Sequence, residues 1–369
     1  MIRFFRSSIY FIKFFFVKKK VDVVLYAPQH FNRGKCGENE YFTPIIKALE
    51  AYNLTYIFFD EPDYLGKSVS NNNSVPFDFV YLIIIFLRRL FSSEMDLITK
   101  DQKIGRFLSK TFLRNLDFKN FIVLSQSMLS VFRGVNNNAK LFDVQHGIIH
   151  LDKDAYIKGG VPATNISRNN VNLLLYGEGF KNLLTALKDG YYHTYTFVIG
   201  TQNKILNATL ESNKNILVSL QFTTDHTPKQ NNLLSNELEQ IIIDNPTFYF
   251  YLKNHPRFNH EVDLNRFYKF ENVQKANSNL YSNFPTCSLH LTSYSTTAFE
   301  CALLGIPTVF MQCLSDEFLM FKKDYDYPFN YSLVEVLNNY INCSSKVNNW
   351  AKFYYSDFNE DKFIKCLAL

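Results

Sequence analysis

Short runs of β-branched and aromatic residues punctuate the chain, each followed by a polar turn and then by apolar residues at helical spacing. Residues 21–26 (VDVVLY) form the first run, and a polar loop over 27–40 separates it from an amphipathic helix pattern over 41–52. The theme returns at 54–59 (LTYIFF), 121–124 (FIVL), 139–144 (AKLFDV) and 172–176 (NLLLY). Runs that are apolar at almost every position predict strands buried on both faces. Such strands alternating with helices predict a parallel sheet covered on both sides. After a polar stretch at 203–215 the alternation restarts. Strands are predicted at 215–220 (NILVSL), 247–252 (TFYFYL), 288–292 (SLHLT) and 308–311 (TVFM), with helices at 236–244 and 296–304.

The restart divides 369 residues into two halves of ordinary domain size. The expected boundaries are 1–205 for an N-terminal, acceptor-binding domain and 206–369 for a C-terminal, nucleotide-sugar-binding domain. The last helical segment, with the lone Trp350, is expected to cross back to the first domain. Two Rossmann-like halves in succession are the sequence picture of an α/β protein of the GT-B class, with a ligand cleft between the two domains at the carboxyl ends of their strands.

Composition narrows the class without naming a reaction. Hydrophobic residues make up 47% and charged residues 20%, which is globular. The 17% aromatic content accompanies abundant Asn, Lys and Ile, a genome-wide bias rather than a sign of nucleic-acid binding, and no nucleic-acid partner is expected. A net charge of +5 suits anionic substrates or an anionic membrane surface. The six cysteines (Cys36, Cys287, Cys301, Cys313, Cys343 and Cys366) include no CxxC pair, so neither zinc nor a disulfide framework is expected.

At the N-terminus, residues 9–17 are apolar but broken by Lys13 and flanked by Arg3, Arg6 and Lys18, Lys19 and Lys20. The run is shorter than the ~20 residues of a spanning helix, and no small-residue cleavage site follows it. Two readings stay open. Residues 1–20 either lie in the headgroup region of the inner leaflet, making the protein peripheral on the cytoplasmic face, or form a first helix packed on the domain. A second apolar run at 79–87, closed by Arg88 and Arg89, reads as a core helix.

Three segments carry candidate chemistry, each where a strand ends. In Asp143-Val144-Gln145-His146-Gly147, a His beside a Gly is expected on a tight turn, where a neutral imidazole can take a proton from an acceptor hydroxyl. In Lys253-Asn254-His255-Pro256-Arg257, Pro256 fixes the exit from the sheet, and Lys253, His255 and Arg257 offer donors for phosphate oxygens. The third segment runs from Leu291 through Ser293, Ser295, Thr296 and Thr297 to Glu300, Gly305 and Pro307. There a hydroxyl-rich loop opens a helix, which favours phosphate, and Glu300 is expected to reach a ribose. Ordinary N-capping accounts for one of these hydroxyls but not for the cluster.

The His-Pro element followed by the Ser/Thr loop resembles the paired motifs of bacterial sialyltransferases and polysialyltransferases, which hold the phosphate and ribose of CMP. The order QHG, KxHP, then S-T-x-x-x-E-x-x-x-x-G-x-P also resembles the capsule-polysaccharide (Kdo transferase) and CDP-glycerol transferase families. The latter resemblance implies that His146 is the base. The sialyltransferase acidic motif is matched only by Gly177-Glu178-Gly179, where Gly replaces the first acid, so Glu178 stays as an alternative. Gln145 stands where the teichoic-acid enzymes carry Trp.

The expected enzyme is therefore a metal-independent glycosyltransferase without a cofactor. It would move a sugar, such as a CMP-activated nonulosonic acid, from a nucleotide donor to a glycan or lipid-linked acceptor of a bacterial surface polysaccharide. Gln221, Thr223 and Thr224 are expected at the nucleotide, and Asn39 and Glu40 at the acceptor. The alternatives are a CDP-glycerol or CDP-ribitol polyol-phosphate transferase, a sugar-nucleotide epimerase and a non-catalytic nucleotide-sugar-binding protein.

Overall fold

The computed structural model describes residues 2–32, 34, 37–64, 69–71, 73–91, 94–202, 212–255, 257–258, 260–314, 321–328 and 332–367. Cys36, Pro256 and the predicted boundary at 205/206 lie outside them. The chain forms two compact units, Met1–Gln202 with Ser356–Leu369, and Asn203–Tyr355.

The first unit contains β1 (Lys19–Pro28), β2 (Tyr56–Glu61), β3 (Val75–Pro76), β4 (Leu116–Leu124), β5 (Lys140–Val144), β6 (Ile157–Lys158), β7 (Val161–Pro162), β8 (Val171–Leu175) and β9 (Thr196–Val198). Strands β6 and β7 pair as a small antiparallel ribbon. The others form a parallel sheet in the order β3-β2-β1-β4-β5-β8-β9. Residues 23–27 of the central β1 are fully buried, as a strand covered on both faces requires. From β1 the chain runs outward to β3 and then returns to β4 on the other side of β1. That reversal opens a crevice at the carboxyl ends of β1 and β4.

Five helices matter here: α1 (Ile2–Lys13), α2 (Thr43–Ala51), α3 (Asp78–Leu90), α4 (Leu97–Leu108) and α5 (Leu129–Val135). The basic-aromatic N-terminus is a helix packed on its inner side, where Phe11 and Phe14 are buried. Arg3 pins it to β2 through Asp60 at 2.9 Å and to the start of α3 through Asp78 at 2.7 Å. The run at 79–87 is less of a core helix than expected. In α3 only Asp78, Val80 and Ile84 are buried, while Leu82, Phe86 and Leu90 face outward.

The chain comes back to the first unit through backbone pairing. Thr201 N–H donates to Ser356 O at 2.9 Å, and Asn359 N–H donates to Ile199 O at 2.8 Å. Gly200 (φ +79°) makes this approach, since a Cβ there would lie 2.1 Å from Asp357 O. The helix Glu360–Leu367 then buries Phe363 and Leu367 against Ile45, Ala48 and Leu49 of α2. Trp350 does not travel with it. Its ring stacks on Phe299 at 4.6 Å and its indole N–H donates to Tyr325 O at 2.7 Å, all within the second unit.

The second unit contains β10 (Asn215–Ser219), β11 (Tyr249–Lys253), β12 (Val273–Lys275), β13 (Leu289–Thr292) and β14 (Thr308–Phe310). They are parallel in the order β12-β11-β10-β13-β14, so this sheet reverses between β10 and β13. The helix predicted from 236 begins at Pro228, because Thr227 and Gln230 form a capping box with Pro at the first turn.

Two glycines set the spacing of α4 against α5. A Cβ on Gly105 would sit 2.0 Å from Val131 O, and one on Gly134 would sit 2.2 Å from Gln102 O. Backbone carbonyls cannot rotate away as side chains do. Gly105→Ala should therefore lower unfolding free energy by about 1–3 kcal/mol or more, read as a fall in the urea midpoint at unchanged slope.

Candidate functional site

In the second unit the polar segments gather on one sheet edge. The reversal between β10 and β13 puts the loops after those strands side by side, and the loop after β11 adjoins β10. Gln221 follows β10, His255 and Arg257 follow β11, and Ser293 through Thr297 follow β13. A hydrogen bond closes the switch point: Tyr294 Oη lies 2.5 Å from His226 Nε2. The far side of the His226 ring meets Asn231 at 3.3 Å, whose amide donates to Glu261 at 3.1 Å. This chain of contacts fixes the hydroxyl-rich loop against the loop after β10.

His255 has a defined proton state. Its Nδ1 accepts the Arg257 N–H at 3.1 Å, which assigns the ring proton to Nε2. Burial and the neighbouring Arg257 charge hold its pKa below the usual imidazole value, so the ring is neutral at pH 7 and Nε2 is a donor. Arg257 itself is engaged. Its guanidinium makes a bidentate pair with Asp225 at 3.0 and 2.5 Å, so a phosphate would have to compete for it. Lys253 is half-buried at the end of β11.

Among the hydroxyls, Ser295 Oγ donates to Thr297 Oγ1 at 3.0 Å and accepts the Thr297 N–H at 3.3 Å. Thr297 is buried, while Thr296 is exposed and makes no capping bond. The buried Ser293 Oγ has no partner among the described residues, and neither has Asn254 Oδ1. Ser293 and Gln221 line a cavity of about 10 Å³, the size of one water. Thr223 is buried and its Oγ1 accepts the Asp225 N–H at 3.2 Å, whereas Thr224 is exposed. Glu300 is held at a pKa of about 7 by burial, with the Tyr281 hydroxyl donating to it at 3.4 Å. The helix behind this loop, Thr297–Leu303, has only seven residues.

In the first unit His146 follows β5 and Glu178 follows the neighbouring β8. Gln145 ties the two loops together, accepting the Tyr176 N–H at 2.9 Å and donating to Gly147 O at 2.7 Å. The His146 ring packs edge-on to Phe31 at 5.3 Å. Burial, with Lys153 nearby, lowers its pKa to about 4, and its buried Nδ1 has no partner among the described residues. Glu178 is exposed at the first turn of the helix Glu178–Thr185. Gly177, just before it, is extended (φ −163°).

The chain bends at Gly147 without a left-handed φ, and an added Cβ would meet only Lys153 Nζ at 3.8 Å. The strained turn lies elsewhere. Ser125, Gln126 and Met128, after β4, have φ of +59°, +56° and +58°. Three such non-glycine residues in four positions concentrate strain at the first sheet's own switch point. Gln126 N–H donates to Asp143 Oδ1 at 2.9 Å, and Ser127 Oγ hydrogen-bonds Glu61. Glu61 also accepts from the Tyr26 hydroxyl at 2.8 Å, and burial raises its pKa. Asp143 is fully buried and pushed up to about 7.

The acceptor-side candidates divide. Asn39 is buried and committed to the start of α2: Oδ1 accepts the Phe42 N–H at 3.2 Å, and the amide donates to Asn32 at 3.3 Å. Glu40 is exposed. The residues that motif reading missed are Glu61, Ser127, Lys153, His226 and Tyr281. Only Glu61, an acid ending a strand-like run, left a signal in the sequence.

No protein-family model matches the chain, and no curated protein matches it by sequence. Solved structures do. A lipopolysaccharide outer core galactosyltransferase superposes with TM-score 0.53 at 13% identity, covering 95% of this chain and 99% of that one. A wall teichoic acid polymerase gives 0.51 at 12% identity, over 100% and 97%. UDP-GlcNAc 2-epimerase from Methanocaldococcus jannaschii gives 0.50 at 13% identity, over 95% and 99%. At such identities the likeness is one of fold: the chain is an α/β protein of the GT-B class with two Rossmann-like domains.

Because a Cβ on Gly147 would meet only the flexible end of Lys153 at ordinary contact distance, Gly147→Ala should fold with a melting temperature within a few degrees of wild type, a shift of about 0.5 kcal/mol or less. A normal melt with lost turnover would mean that a ligand approaches the backbone there.

Proposed function

We propose that the protein is a glycosyltransferase that moves a sugar from a nucleotide donor to a bacterial surface glycan. The observation that carries this reading is the gathering of Gln221, His255 and the hydroxyl-rich loop at the switch point of the second sheet. This is where Rossmann-like sheets take nucleotides. The fold likeness to a galactosyltransferase and a teichoic acid polymerase supports it. A CMP-linked nonulosonic acid is the favoured donor, on the sequence resemblance alone.

In this reading the acceptor hydroxyl oxygen attacks the anomeric carbon while its proton passes to the His146 imidazole. The bond from that carbon to the phosphate oxygen breaks, and the oxygen leaves with the electron pair. The charge developing there receives the Nε2–H of His255 and hydroxyls of Ser295 and Thr296. Lys253 adds electrostatic support, and Ser293, Thr297 and Glu300 complete the nucleotide subsite. No divalent metal and no cofactor enter the reaction.

A sugar-nucleotide epimerase is the second reading, favoured by the likeness to UDP-GlcNAc 2-epimerase. Incubation with CMP-, CDP-, UDP- and GDP-linked donors in EDTA, with and without glycan acceptors, separates the readings. Release of nucleotide only with acceptor, and a lengthened glycan, supports transfer. An isomerised nucleotide sugar without acceptor supports epimerisation, and a glycerol phosphate or ribitol phosphate product supports the polyol-phosphate alternative.

His255→Ala removes one phosphate donor, worth ~1.5–3 kcal/mol for a charge-assisted bond. Nucleotide affinity by calorimetry should drop roughly tenfold to a hundredfold, and unchanged affinity in a folded variant removes the role. His146→Ala should keep nucleotide affinity and lose ~10²–10⁴ in turnover, with Glu178→Gln losing less. Since the base form of His146 prevails above its pKa of about 4, the acidic limb of kcat/KM should fall near that value rather than near that of ordinary imidazole. A loss confined to Glu178→Gln would transfer the role to the carboxylate.

A further inference from the structure

The helical layer on one face of the first sheet carries apolar side chains on its outer surface as well as its inner one. On α1 the buried residues are Ser7 and Phe11, with Phe14 just beyond the helix, while Phe5, Ile9 and Ile12 point outward at 58%, 57% and 49% exposure. Phe16, three residues beyond α1, continues that stripe at 83%. On α3, Leu82, Phe86 and Leu90 repeat the pattern at i, i+4 and i+8. The two helices are neighbours: Phe4 meets Phe79 at 6.0 Å, and the Phe79 N–H donates to Ser7 Oγ at 3.0 Å. Both press inward on one core, where Phe11 meets Phe77, the residue before α3, at 5.4 Å. Their outer stripes therefore lie on neighbouring helices, and exposed apolar side chains gathered in this way mark an interaction surface.

The rim is basic. Residues 1–20 contain no acid, and Arg6, Lys13, Lys18, Lys19 and Lys20 are all exposed, as is Arg89 at the end of α3. Such a composition, apolar in the middle and cationic around it, matches a helix lying along a bilayer interface. Among the described residues no helix is long and apolar enough to cross a membrane. A second copy of the chain is the poorer occupant, since a two-fold contact lays the patch on itself and sets lysine against lysine.

We propose that the outward face of α1 and α3 docks on an anionic lipid surface. The apolar stripe enters the headgroup region, the basic rim meets the lipid phosphates, and α3 is as much a part of the contact as α1. Docking of this kind does not depend on which sugar is transferred or whether one is.

Co-sedimentation of the full chain with phosphatidylcholine vesicles, with and without phosphatidylglycerol, tests this. Wild type should partition to the anionic vesicles at low salt and less at high salt. Phe86→Asp with Leu90→Asp on α3, and Lys18→Ala with Lys19→Ala and Lys20→Ala, should each lower that partition by about tenfold or more. Because these positions are exposed, melting temperatures should not move. Failure of the wild type to bind anionic vesicles, or α3 variants that bind as wild type does, overturns the proposal. So does a dimer in sedimentation analysis that the α3 variants dissociate, which would make the face a protein interface.

Discussion

Covering both faces of a parallel sheet is the constraint on which the rest depends. It removes polar side chains from the strands and leaves them only the ends. The order reversals then decide which ends meet: β1 with β4 in one unit, β10 with β13 in the other. A polar group that does lie within a strand must be paired. His290 in β13 is fully buried between Ser219 and Thr308, each at 2.9 Å, and burial pulls its pKa to about 3. It is a structural histidine, distinguished from His255 by having both nitrogens occupied.

The same burial gives the two candidate histidines opposite chemistry. His146 has a pKa near 4, so its imidazole is neutral and able to accept a proton. His255 has its Nδ1 occupied by Arg257 N–H and presents only a donor. Desolvation sets the charge state in both cases, and local hydrogen bonding sets the direction of proton traffic. The first unit also stores strain in the left-handed residues after β4, where Asp143 holds the Gln126 N–H. A fully buried carboxyl held near pKa 7 is a costly arrangement, and costly arrangements concentrate at functional sites.

The N-terminal helix obeys a different logic. Arg3 joins α1 to Asp60 and Asp78, so the helix is fixed to the sheet by a partly buried ion cluster as well as by Phe11 and Phe14. A helix held that firmly on one side can expose apolar residues on the other without collapsing onto itself. Its second apolar face needs a reason outside the folded unit.

The parallel sheets, the restart of the pattern and the GT-B class were legible in the sequence, because fully buried strands write unbroken apolar runs. The polar segments after 139–144, 247–252 and 288–292 were legible for the same reason: they are where those runs stop. Strands of low burial left no trace, as with β12, where only Val273 is covered. What each polar residue does depended on neighbours far away in the chain. Arg257 faces Asp225 across 32 positions, and Tyr294 reaches His226 across 68. Glu61 and Ser127 are 66 positions apart and meet only because β2 and β4 flank β1. Burial pattern is a local property that each segment carries in its own composition. Proton state, pairing and strain belong to contacts that exist only once the strands have been ordered.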